Sequence, residues 1–479
     1  MDGGSGLSHF LKGRLLVKNL DVLVIGGGPG GYTAAIRATQ LGLSTGIAER
    51  DRLGGVCLNW GCIPTKALLK NAEILQTFRH ADEWGITVEN LKYDFPKMIK
   101  RSRGIADRVS KGVEYLMKKN KIESFRGTAR LVSPDGIEIV ADGKPVEIVK
   151  AKHVILATGA RPRTIPGVTF DRHRIISSTE AMTLQKQPKS MVIIGGGPIG
   201  IEFAYFYNAI GTRVTVVEMM SSILPMEDGE LTKMLNASLK KQGIEVLTEA
   251  RVEAVKASAS EVEVSVKLGD EKKEIRAEVA LVAIGVQGNA ENIGLEDLGV
   301  KIDKSQIAVD EHYRTNVPGI YAVGDVIGSP WLAHVASAEG IHCVEAIAGK
   351  SPDVLDYSSI PGCTYCQPQL ASVGLTEEKA KEKGHSVKVG RFPFRPLGKA
   401  VAISETEGMV KLVFDAKYGE LLGGHILGSD ATELIGELVV AKRLETTGER
   451  LFHAVHAHPT LSEAIMEAAA AAYGEAINI

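Results

Sequence analysis

The feature that most constrains the fold is a pattern that occurs twice, 169 residues apart. The first copy runs from Asp21 to Arg50 and the second from Ser190 to Met219. Each copy contains an apolar β-rich run, a glycine cluster, a helical stretch and a second β-rich run that ends in Glu. This order is typical of a β-α-β unit, so the sequence predicts two such units.

The glycine clusters of both copies have the spacing GxGxxG. Each cluster follows a predicted strand, opens a predicted helix and precedes an acidic residue by about 20 positions. The glycines are Gly26, Gly28 and Gly31 in the first copy and Gly195, Gly197 and Gly200 in the second. Such a turn directs backbone N–H groups and a helix N-terminus toward a pyrophosphate, while Glu49 and Glu218 can accept from ribose hydroxyls. A glycine-rich turn without a ligand is the alternative, but two complete fingerprints favour two dinucleotide sites.

The residues after Glu218 indicate which nucleotide the second site prefers. They are Met219, Met220, Ser221 and Ser222, with no Arg or Lys among them. A 2′-phosphate would therefore meet a carboxylate and no cation. This favours NAD over NADP.

Composition excludes several classes of protein. A formal net charge of −2 over 479 residues lacks the basic excess of a general nucleic-acid binder. No apolar run reaches the roughly 18 residues of a membrane span. Five cysteines do not form a secreted disulfide scaffold, which favours a reducing cytoplasmic compartment. The first twenty residues carry no secretion signal and are predicted to be a flexible extension.

Two cysteines follow the first unit in the segment GGVCLNWGCIPTKALLK. Cys57 and Cys62 are five residues apart, which is too far around a regular helix for a disulfide, but Asn59 and Gly61 allow an irregular turn. Pro64 suits the first turn of the helix that follows. Cys62 then lies near a helix N-terminus, which stabilises its thiolate and lowers its pKa. This pair is expected to exchange rather than to brace the fold, although two small buried residues are the alternative.

The cysteine segment resembles the redox-disulfide motif of the pyridine nucleotide–disulfide oxidoreductases, and in particular of members that oxidise dihydrolipoamide. The resemblance extends from about Asp21 over nearly the whole chain and includes HVILATG at 153–159, TNVPGIYAVGD at 315–325 and HAHPTLSE at 456–463. It implies FAD in the first nucleotide site, NAD in the second and a redox disulfide between Cys57 and Cys62. Cys57 is expected to be the more accessible sulfur and the one that the substrate thiolate attacks. It also implies an enzyme that reoxidises protein-bound dihydrolipoamide and reduces NAD⁺ to NADH.

The same resemblance assigns further residues. Lys66 is expected near flavin N5, paired with Glu202, and Asp325 is expected to hold the ribitol chain. The other FAD contacts that it implies are Glu49, Thr158, Gly159, Leu332, Ala333 and His334, and Gly285 is an expected NAD contact.

A histidine-rich segment, HAVHAHPTLSE, contains His453, His456 and His458. Metal binding is disfavoured because no nearby Cys or Asp completes a ligand set, so no metal is expected. A surface turn is the other alternative. Pro459 fixes the local chain, and Glu463 can accept from one imidazole nitrogen and set the tautomer of His458. In the family this His–Glu pair is the acid–base catalyst and is supplied by the partner subunit.

The predicted fold class is α/β, with two Rossmann-like dinucleotide-binding domains and a C-terminal α/β dimerisation domain. The expected division is an extension at 1–20, an FAD domain at 21–160, an NAD domain at 161–288, a central domain at 289–357 and an interface domain at 358–479. The resemblance implies a homodimer with a shared active site, which serves lipoyl domains of a 2-oxoacid dehydrogenase or glycine cleavage complex. No nucleic-acid or membrane partner is expected.

Some alternatives and departures remain. A glutathione-type reductase would use NADPH, and it tends to have Ser and Arg where this chain has Pro29 and Ile36. A mercuric reductase would carry a C-terminal cysteine pair. A non-catalytic redox-sensing flavoprotein would not need the four expected catalytic residues, which are Cys57, Cys62, His458 and Glu463.

Val286 and Gly288 depart from the Arg-containing turn of many relatives. Cys363 and Cys366 are predicted to lie on one strand and to face opposite sides, which disfavours a second functional dithiol.

Overall fold

The structure, a computed structural model, describes residues 17–478. Its strands are β1 Val17–Ile25, β2 Thr45–Glu49, β3 Glu123–Arg126, β4 Thr128–Ser133, β5 Gly136–Ala141, β6 Lys144–Leu156, β7 Ala160–Pro162, β8 Ile175–Ile176, β9 Ser190–Ile194, β10 Arg213–Val217, β11 Glu245–Leu247, β12 Ala250–Ala257, β13 Val262–Leu268, β14 Glu271–Ala277, β15 Val279–Val282, β16 Val286–Gly288, β17 Ile302–Asp303, β18 Gln306–Ile307, β19 Ile320–Ala322, β20 Gly362–Thr364, β21 Gln369–Gly374, β22 Val387–Pro393, β23 Met409–Asp415 and β24 Leu421–Gly428.

The α-helices connect these strands and cover the sheets. They are α1 Pro29–Gln40, α2 Gly55–Trp60, α3 Cys62–Arg79, α4 Phe95–Lys119, α5 Ser178–Ala181, α6 Pro198–Ala209, α7 Gly229–Lys241, α8 Ala333–Ile347, α9 Glu377–Glu382, α10 Gly398–Ala402, α11 Ala431–Arg443, α12 Gly448–Phe452 and α13 Glu463–Ala471.

The chain forms two compact units, each assembled from separate stretches of sequence. The first contains 17–64, Arg103–Arg161 and Val286–Leu355, and the second contains Thr65–Ser102, Pro162–Gly285 and 356–478. This division assigns 65–102 to the second unit, whereas the sequence predicts these residues to be part of the FAD domain. The limits of the individual domains remain a prediction.

The first unit is built on a sheet in the order β3-β2-β1-β6-β5-β4, with β19 paired to β6. β1 runs parallel to β2 and β6, and its last four residues are buried, as strands covered on both faces must be. The helices α1 and α8 pack against each other within this unit. β1 begins at Val17, so residues 17–20 belong to the first strand and not to the predicted extension, while residues 1–16 lie outside the described part.

The second unit contains the sheet of the second β-α-β unit, in the order β11-β10-β9-β15-β8, and all of its pairings are parallel. β9 is buried at every position, and α6 follows it directly. The antiparallel sheet β12-β13-β14 lies in the same unit. α1 and α6 begin at Pro29 and Pro198, the same offset that separates the two sequence copies.

The C-terminal part of the second unit is an antiparallel sheet in the order β20-β21-β24-β23-β22. Its core is an apolar cluster of strand and helix residues that includes Phe392, Phe414, Leu438 and Ile465. The sheet of the first unit is mixed, because β4, β5 and β6 pair antiparallel, and the sheet of the second β-α-β unit is all parallel. Together with the helices that connect their strands and the C-terminal antiparallel sheet, they agree with the predicted α/β class.

Candidate active site

The two glycine loops have nearly the same backbone geometry. Gly26 and Gly195 adopt φ values of +108° and +111°, a region that favours glycine. A Cβ on Gly31 would lie 1.9 Å from the Gly26 carbonyl oxygen, and one on Gly200 would lie 2.0 Å from that of Gly195. The last glycine of each motif is therefore required for the helix to approach its own strand. Gly28 and Gly197 are the N-cap residues of α1 and α6, which leaves the N–H groups of each first turn directed out of the helix.

The acidic residues at the strand ends contact these loops. Glu49 accepts hydrogen bonds from the Gly27 N–H at 2.7 Å and from the Asp51 N–H at 2.8 Å. Glu218 accepts from the Gly196 N–H at 2.6 Å and from the Met220 N–H at 2.7 Å. Because a carboxylate has about four lone-pair positions, each group retains acceptors for ribose hydroxyls. These two cradles fit dinucleotides.

The cysteine pair flanks a break between two helices. Cys57 lies in α2, and α3 begins at Cys62 after Gly61, whose φ and ψ of −153° and −112° end the first helix. The buried Asn59 supports this turn, since its amide donates to the carbonyl oxygens of Leu53 and Gly55 at 3.1 and 3.0 Å. Cys62 therefore occupies the N-terminal end of an 18-residue helix, where a thiolate is stabilised.

The accessibility of the two sulfur-bearing residues differs from our expectation. The prediction that Cys57 is the more accessible is wrong, because Cys57 is half-buried and Cys62 is exposed. The physical reason is that Cys57 packs against the apolar cluster that includes Val22, Ile47 and Leu58. Accessibility consequently does not identify the sulfur that a substrate would attack.

Lys66 and Glu202 form an ion pair in the second unit. The Lys66 Nζ atom lies 2.9 Å from both carboxylate oxygens of Glu202, whose side chain is only 7% exposed. Lys66 is one helical turn after Cys62 on α3. The backbone N–H of Tyr365 also donates to Glu202 Oε1 at 3.1 Å. The structure thus brings together the two residues whose pairing the resemblance implied.

Thr158 and Gly159 follow β6 in the first unit, with Ala157 between them and the end of the strand. The Thr158 hydroxyl donates to the Asn289 carbonyl oxygen at 2.8 Å, and the Asn289 side-chain amide donates to the Thr158 carbonyl oxygen at 3.0 Å. Asn289 N–H donates to the Gly159 carbonyl oxygen at 2.9 Å. These contacts fix the chain as it leaves the sheet. In the second unit, Gly285 has a φ of +113°, and its carbonyl oxygen accepts from the Arg163 N–H.

Asp325 lies in a short 3₁₀ turn, Gly324–Ile327, just after β19. Burial raises the pKa of its carboxyl group from 3.8 to about 6. A desolvated carboxylate at the end of a strand is suited to accept hydrogen bonds from ligand hydroxyls, so the residue fits a ribityl chain. Leu332 is the N-cap residue of α8, and Ala333 and His334 form its first turn.

His458 and Glu463 form a close pair at the start of α13. The His458 Nδ1 atom lies 2.9 Å from Glu463 Oε1, and the Thr460 N–H donates to Glu463 Oε2 at 2.9 Å. Burial raises the pKa of Glu463, but the bonds from Thr460 and His458 outweigh it and keep this pKa below the ordinary value. The Glu463 carboxylate orients one ring nitrogen of His458. The rest of the ring remains accessible, because the His458 side chain is 78% exposed. This arrangement suits a general base.

The neighbouring histidines have other contacts. His456 Nε2 lies 2.9 Å from Glu437 Oε1, and His453 Nδ1 lies 2.9 Å from the Glu449 carbonyl oxygen. Within residues 17–478, no group of three or more His, Cys, Asp or Glu side chains is arranged to hold a metal ion.

The remaining cysteines are mostly buried. Cys343 is fully buried in α8. β20 ends at Thr364, so the strand that we expected to carry both Cys363 and Cys366 is shorter than predicted. Cys366 lies beyond it, buried, and its thiol donates to the Pro368 carbonyl oxygen at 3.1 Å. Burial raises the pKa of Cys363 to about 11, which disfavours its thiolate.

Comparison with known proteins identifies the family. The profile described as pyridine nucleotide-disulphide oxidoreductase matches residues 20–340, and the dimerisation domain of the same family matches 360–469. The chain belongs to the pyridine nucleotide-disulphide oxidoreductases. None of the helices in the described part of this oxidoreductase is long and apolar enough to cross a membrane.

Full-length relatives and a solved structure support the assignment. A protein of Rhizobium etli named dihydrolipoyl dehydrogenase is 49% identical, over 97% of this chain and 100% of its own length. One of the same name from Chlorobaculum tepidum is 48% identical, over 95% of this chain and 97% of its own. The crystal structure of LpdA from Mycobacterium tuberculosis is 26% identical with a TM-score of 0.88, and the match covers 94% of this chain and 99% of that one.

Sequence reasoning missed two residues that contact predicted site residues or their immediate neighbours. Tyr365 contacts Lys66 and Glu202, and Glu339 accepts from the Gly324 N–H, next to Asp325, at 2.6 Å. An aromatic residue between Cys363 and Cys366 was a visible signal for the first. The second had no signal, because an acidic residue in a helix is usually solvated.

Proposed function

We propose that this oxidoreductase is a dihydrolipoyl dehydrogenase, which oxidises protein-bound dihydrolipoamide to lipoamide and reduces NAD⁺ to NADH. The observation that carries the proposal is the placement of Cys57 and Cys62 on either side of the break that begins α3. The names of full-length relatives support lipoamide over glutathione as the substrate class. Glu218, followed by no basic residue up to Ser222, supports NAD.

The proposed cofactor sites follow from the two glycine loops. Gly26, Gly28, Gly31, Glu49, Thr158, Gly159 and Asp325 would hold FAD together with Lys66 and the turn Leu332, Ala333 and His334; Gly195, Gly197, Gly200, Glu202, Glu218 and Gly285 would hold NAD. Bound FAD supplies a two-electron carrier between the enzyme dithiol and NAD⁺.

The residues of the chain account for the thiol chemistry. His458 accepts a proton from one thiol of dihydrolipoamide, and Glu463 holds the ring during the transfer. The substrate thiolate attacks Cys57, the Cys57–Cys62 bond breaks, and Cys62 leaves as a thiolate. The second substrate thiol then loses its proton and attacks the mixed disulfide, which closes the lipoyl ring and releases Cys57 as a thiol. Two electrons pass from the substrate to the enzyme disulfide, which becomes the Cys57 thiol and the Cys62 thiolate. Of the two substrate protons, one is then on His458 and the other on Cys57.

The stability of the leaving group, rather than accessibility, argues for attack at Cys57. In thiol–disulfide exchange the sulfur with the more stable thiolate leaves faster. Cys62 is the first residue of the 18-residue helix α3, whereas Cys57 is the third residue of α2, which has only six residues and therefore a smaller dipole. Attack at Cys57 therefore expels the better-stabilised thiolate.

The proposal extends to assembly and location. The match to the dimerisation domain supports a homodimer in which the His458–Glu463 pair completes the active site of the other subunit. Lipoyl domains of a 2-oxoacid dehydrogenase or glycine cleavage complex are the proposed protein substrates. We place the enzyme in the cytoplasm.

A cofactor and turnover assay tests the proposal. The purified protein should be yellow with bound FAD and should reduce NAD⁺ with dihydrolipoamide, in preference to oxidising NADPH with glutathione disulfide. A folded, colourless preparation that takes up no FAD would overturn the cofactor assignment. A yellow protein with glutathione-disulfide reductase activity and no dihydrolipoamide activity would identify the alternative reductase. Bound FAD without either activity would favour a redox sensor.

A further inference from the structure

The Lys66 ammonium has a second contact besides Glu202. Its Nζ atom lies 4.1 Å from the centroid of the Tyr365 ring, which is within the range of a cation–π interaction. The Lys66 side chain is 34% exposed, so the ammonium is only partly screened by solvent. Glu202 and the ring of Tyr365 thus approach the same ammonium from two directions.

Tyr365 contacts both members of the ion pair. Its ring faces Lys66, and its backbone N–H donates to Glu202 Oε1 at 3.1 Å. The residue directly follows β20, so the sheet fixes its backbone. A hydrogen bond of its side chain with the Cys363 thiol gives the ring an additional anchor. One residue therefore restrains the carboxylate through the main chain and the ammonium through the ring.

We propose that Tyr365 is a positioning residue that holds the Lys66 ammonium against Glu202 and thereby fixes its placement beside the flavin. The inference rests on the proposed function, which places Lys66 next to FAD. Loss of the ring face leaves Glu202 as the remaining restraint that we identify on the ammonium, and a long lysine side chain then samples more rotamers. The Lys66 ammonium then spends less time beside the flavin, so it stabilises the reduced cofactor less.

The test compares holoenzyme variants at position 365. Tyr365→Leu should reduce the rate constant for flavin reduction by NADH by about three- to tenfold, the range of a partly exposed cation–π contact. It should also make the flavin midpoint potential more negative. Tyr365→Phe keeps the ring face and should restore both quantities to within about twofold of the wild type. Tyr418→Leu is the matched control, because it removes another lysine–tyrosine contact, with Lys417 at 4.6 Å.

A double-variant cycle separates positioning from a structural effect. In a Lys66→Met background, Tyr365→Leu should cause no further change in rate or potential, since the group that it positions is gone. An equal effect in both backgrounds would overturn the inference. So would a Tyr365→Phe enzyme as impaired as Tyr365→Leu, which would assign the effect to the contact with Cys363.

A second variant covers the case in which Tyr365→Leu does not fold. Pentafluorophenylalanine at position 365 keeps the shape of the ring and removes the negative charge of its face. Like Tyr365→Leu, it should lower the rate constant for flavin reduction by NADH and make the flavin midpoint potential more negative. Unchanged rate and potential would overturn the inference while the proposed function stands. A wild type without FAD or dihydrolipoamide turnover would instead overturn the proposed function.

Discussion

His458 Nδ1 lies 2.9 Å from Glu463 Oε1 while most of the imidazole is exposed. A second bond, from the Thr460 N–H to Glu463 Oε2, fixes the carboxylate at the start of α13. The carboxylate therefore orients the ring through Nδ1. This is the arrangement expected of a base that exchanges protons with a substrate arriving from solvent.

Replacement of His458 tests its assignment as the base. His458→Gln should retain FAD and should still be reduced by NADH, because neither property requires a proton from the lipoyl thiol. Turnover with dihydrolipoamide should fall by about 10²–10⁴-fold, the usual size of a general-base effect. Steady-state assays with dihydrolipoamide and NAD⁺ measure the loss, and His453→Gln is the control on the same segment. Near-normal turnover in His458→Gln would remove His458 from the mechanism.

Serine variants of the two cysteines test their division of labour. Cys57→Ser should leave a thiolate at Cys62 and show a long-wavelength absorption band with FAD in the absence of reductant. Cys62→Ser should lack that band, because the remaining thiol is not at the N-terminus of α3. Visible spectra of the two holoenzymes provide the measurement, with Cys363→Ser as the control without a band. The opposite pair of spectra would exchange the roles of Cys57 and Cys62.

The parts of the structure that the sequence predicted are those fixed by local sterics. Gly31 and Gly200 lie where a Cβ would overlap a backbone oxygen, so the strand–turn–helix path is encoded in the motif itself. The pairing of Lys66 with Glu202, 136 residues apart, was implied by resemblance and not by any local pattern. Charge pairing across such a separation depends on how the elements pack.

The parts that it could not predict depend on tertiary packing. The exposures of Cys57 and Cys62 follow from the apolar cluster against which α2 packs, and the spacing of the two residues carries no information about it. The contact of Tyr365 with Lys66 likewise requires β20 and α3 to be neighbours. The early end of β20 at Thr364 placed Cys366 outside the strand, which an alternating pattern alone could not indicate.

The nucleotide preference depends on the carboxylate of Glu218. Glu218→Ala removes the proposed ribose acceptor and the repulsion of a 2′-phosphate, so it should weaken binding of NADH by about 1.5–3 kcal/mol and relax the bias against NADPH. Because Glu218 also accepts from Gly196 and Met220, part of the loss will come from a looser glycine loop. Titration of each nucleotide checks the effect. Glu245→Ala, at the adjacent strand β11, is the control. A wild type that already prefers NADPH would contradict the assignment.

The negative charge of Asp325 should favour the binding of FAD and should lower the stability of the folded apoprotein. Burial raises its pKa from 3.8 to about 6, so the folded apoprotein binds this proton more tightly than the unfolded chain does. The contribution of this group to stability is therefore full below about pH 4, falls as the pH rises toward about 6, and stays low above it.

Asp325→Asn removes the charge and separates these two effects. The apoprotein variant should be more stable than the wild type at pH 7, by roughly 1–3 kcal/mol, and should show little difference at pH 4. Its affinity for FAD should fall, because a neutral amide replaces a charged acceptor of the ribityl hydroxyls. Urea unfolding at the two pH values and fluorescence titration of FAD measure both quantities, with the exposed Asp297→Asn as the control. A stability difference of the same size at pH 4 and pH 7 would show that ionisation of Asp325 is not its cause.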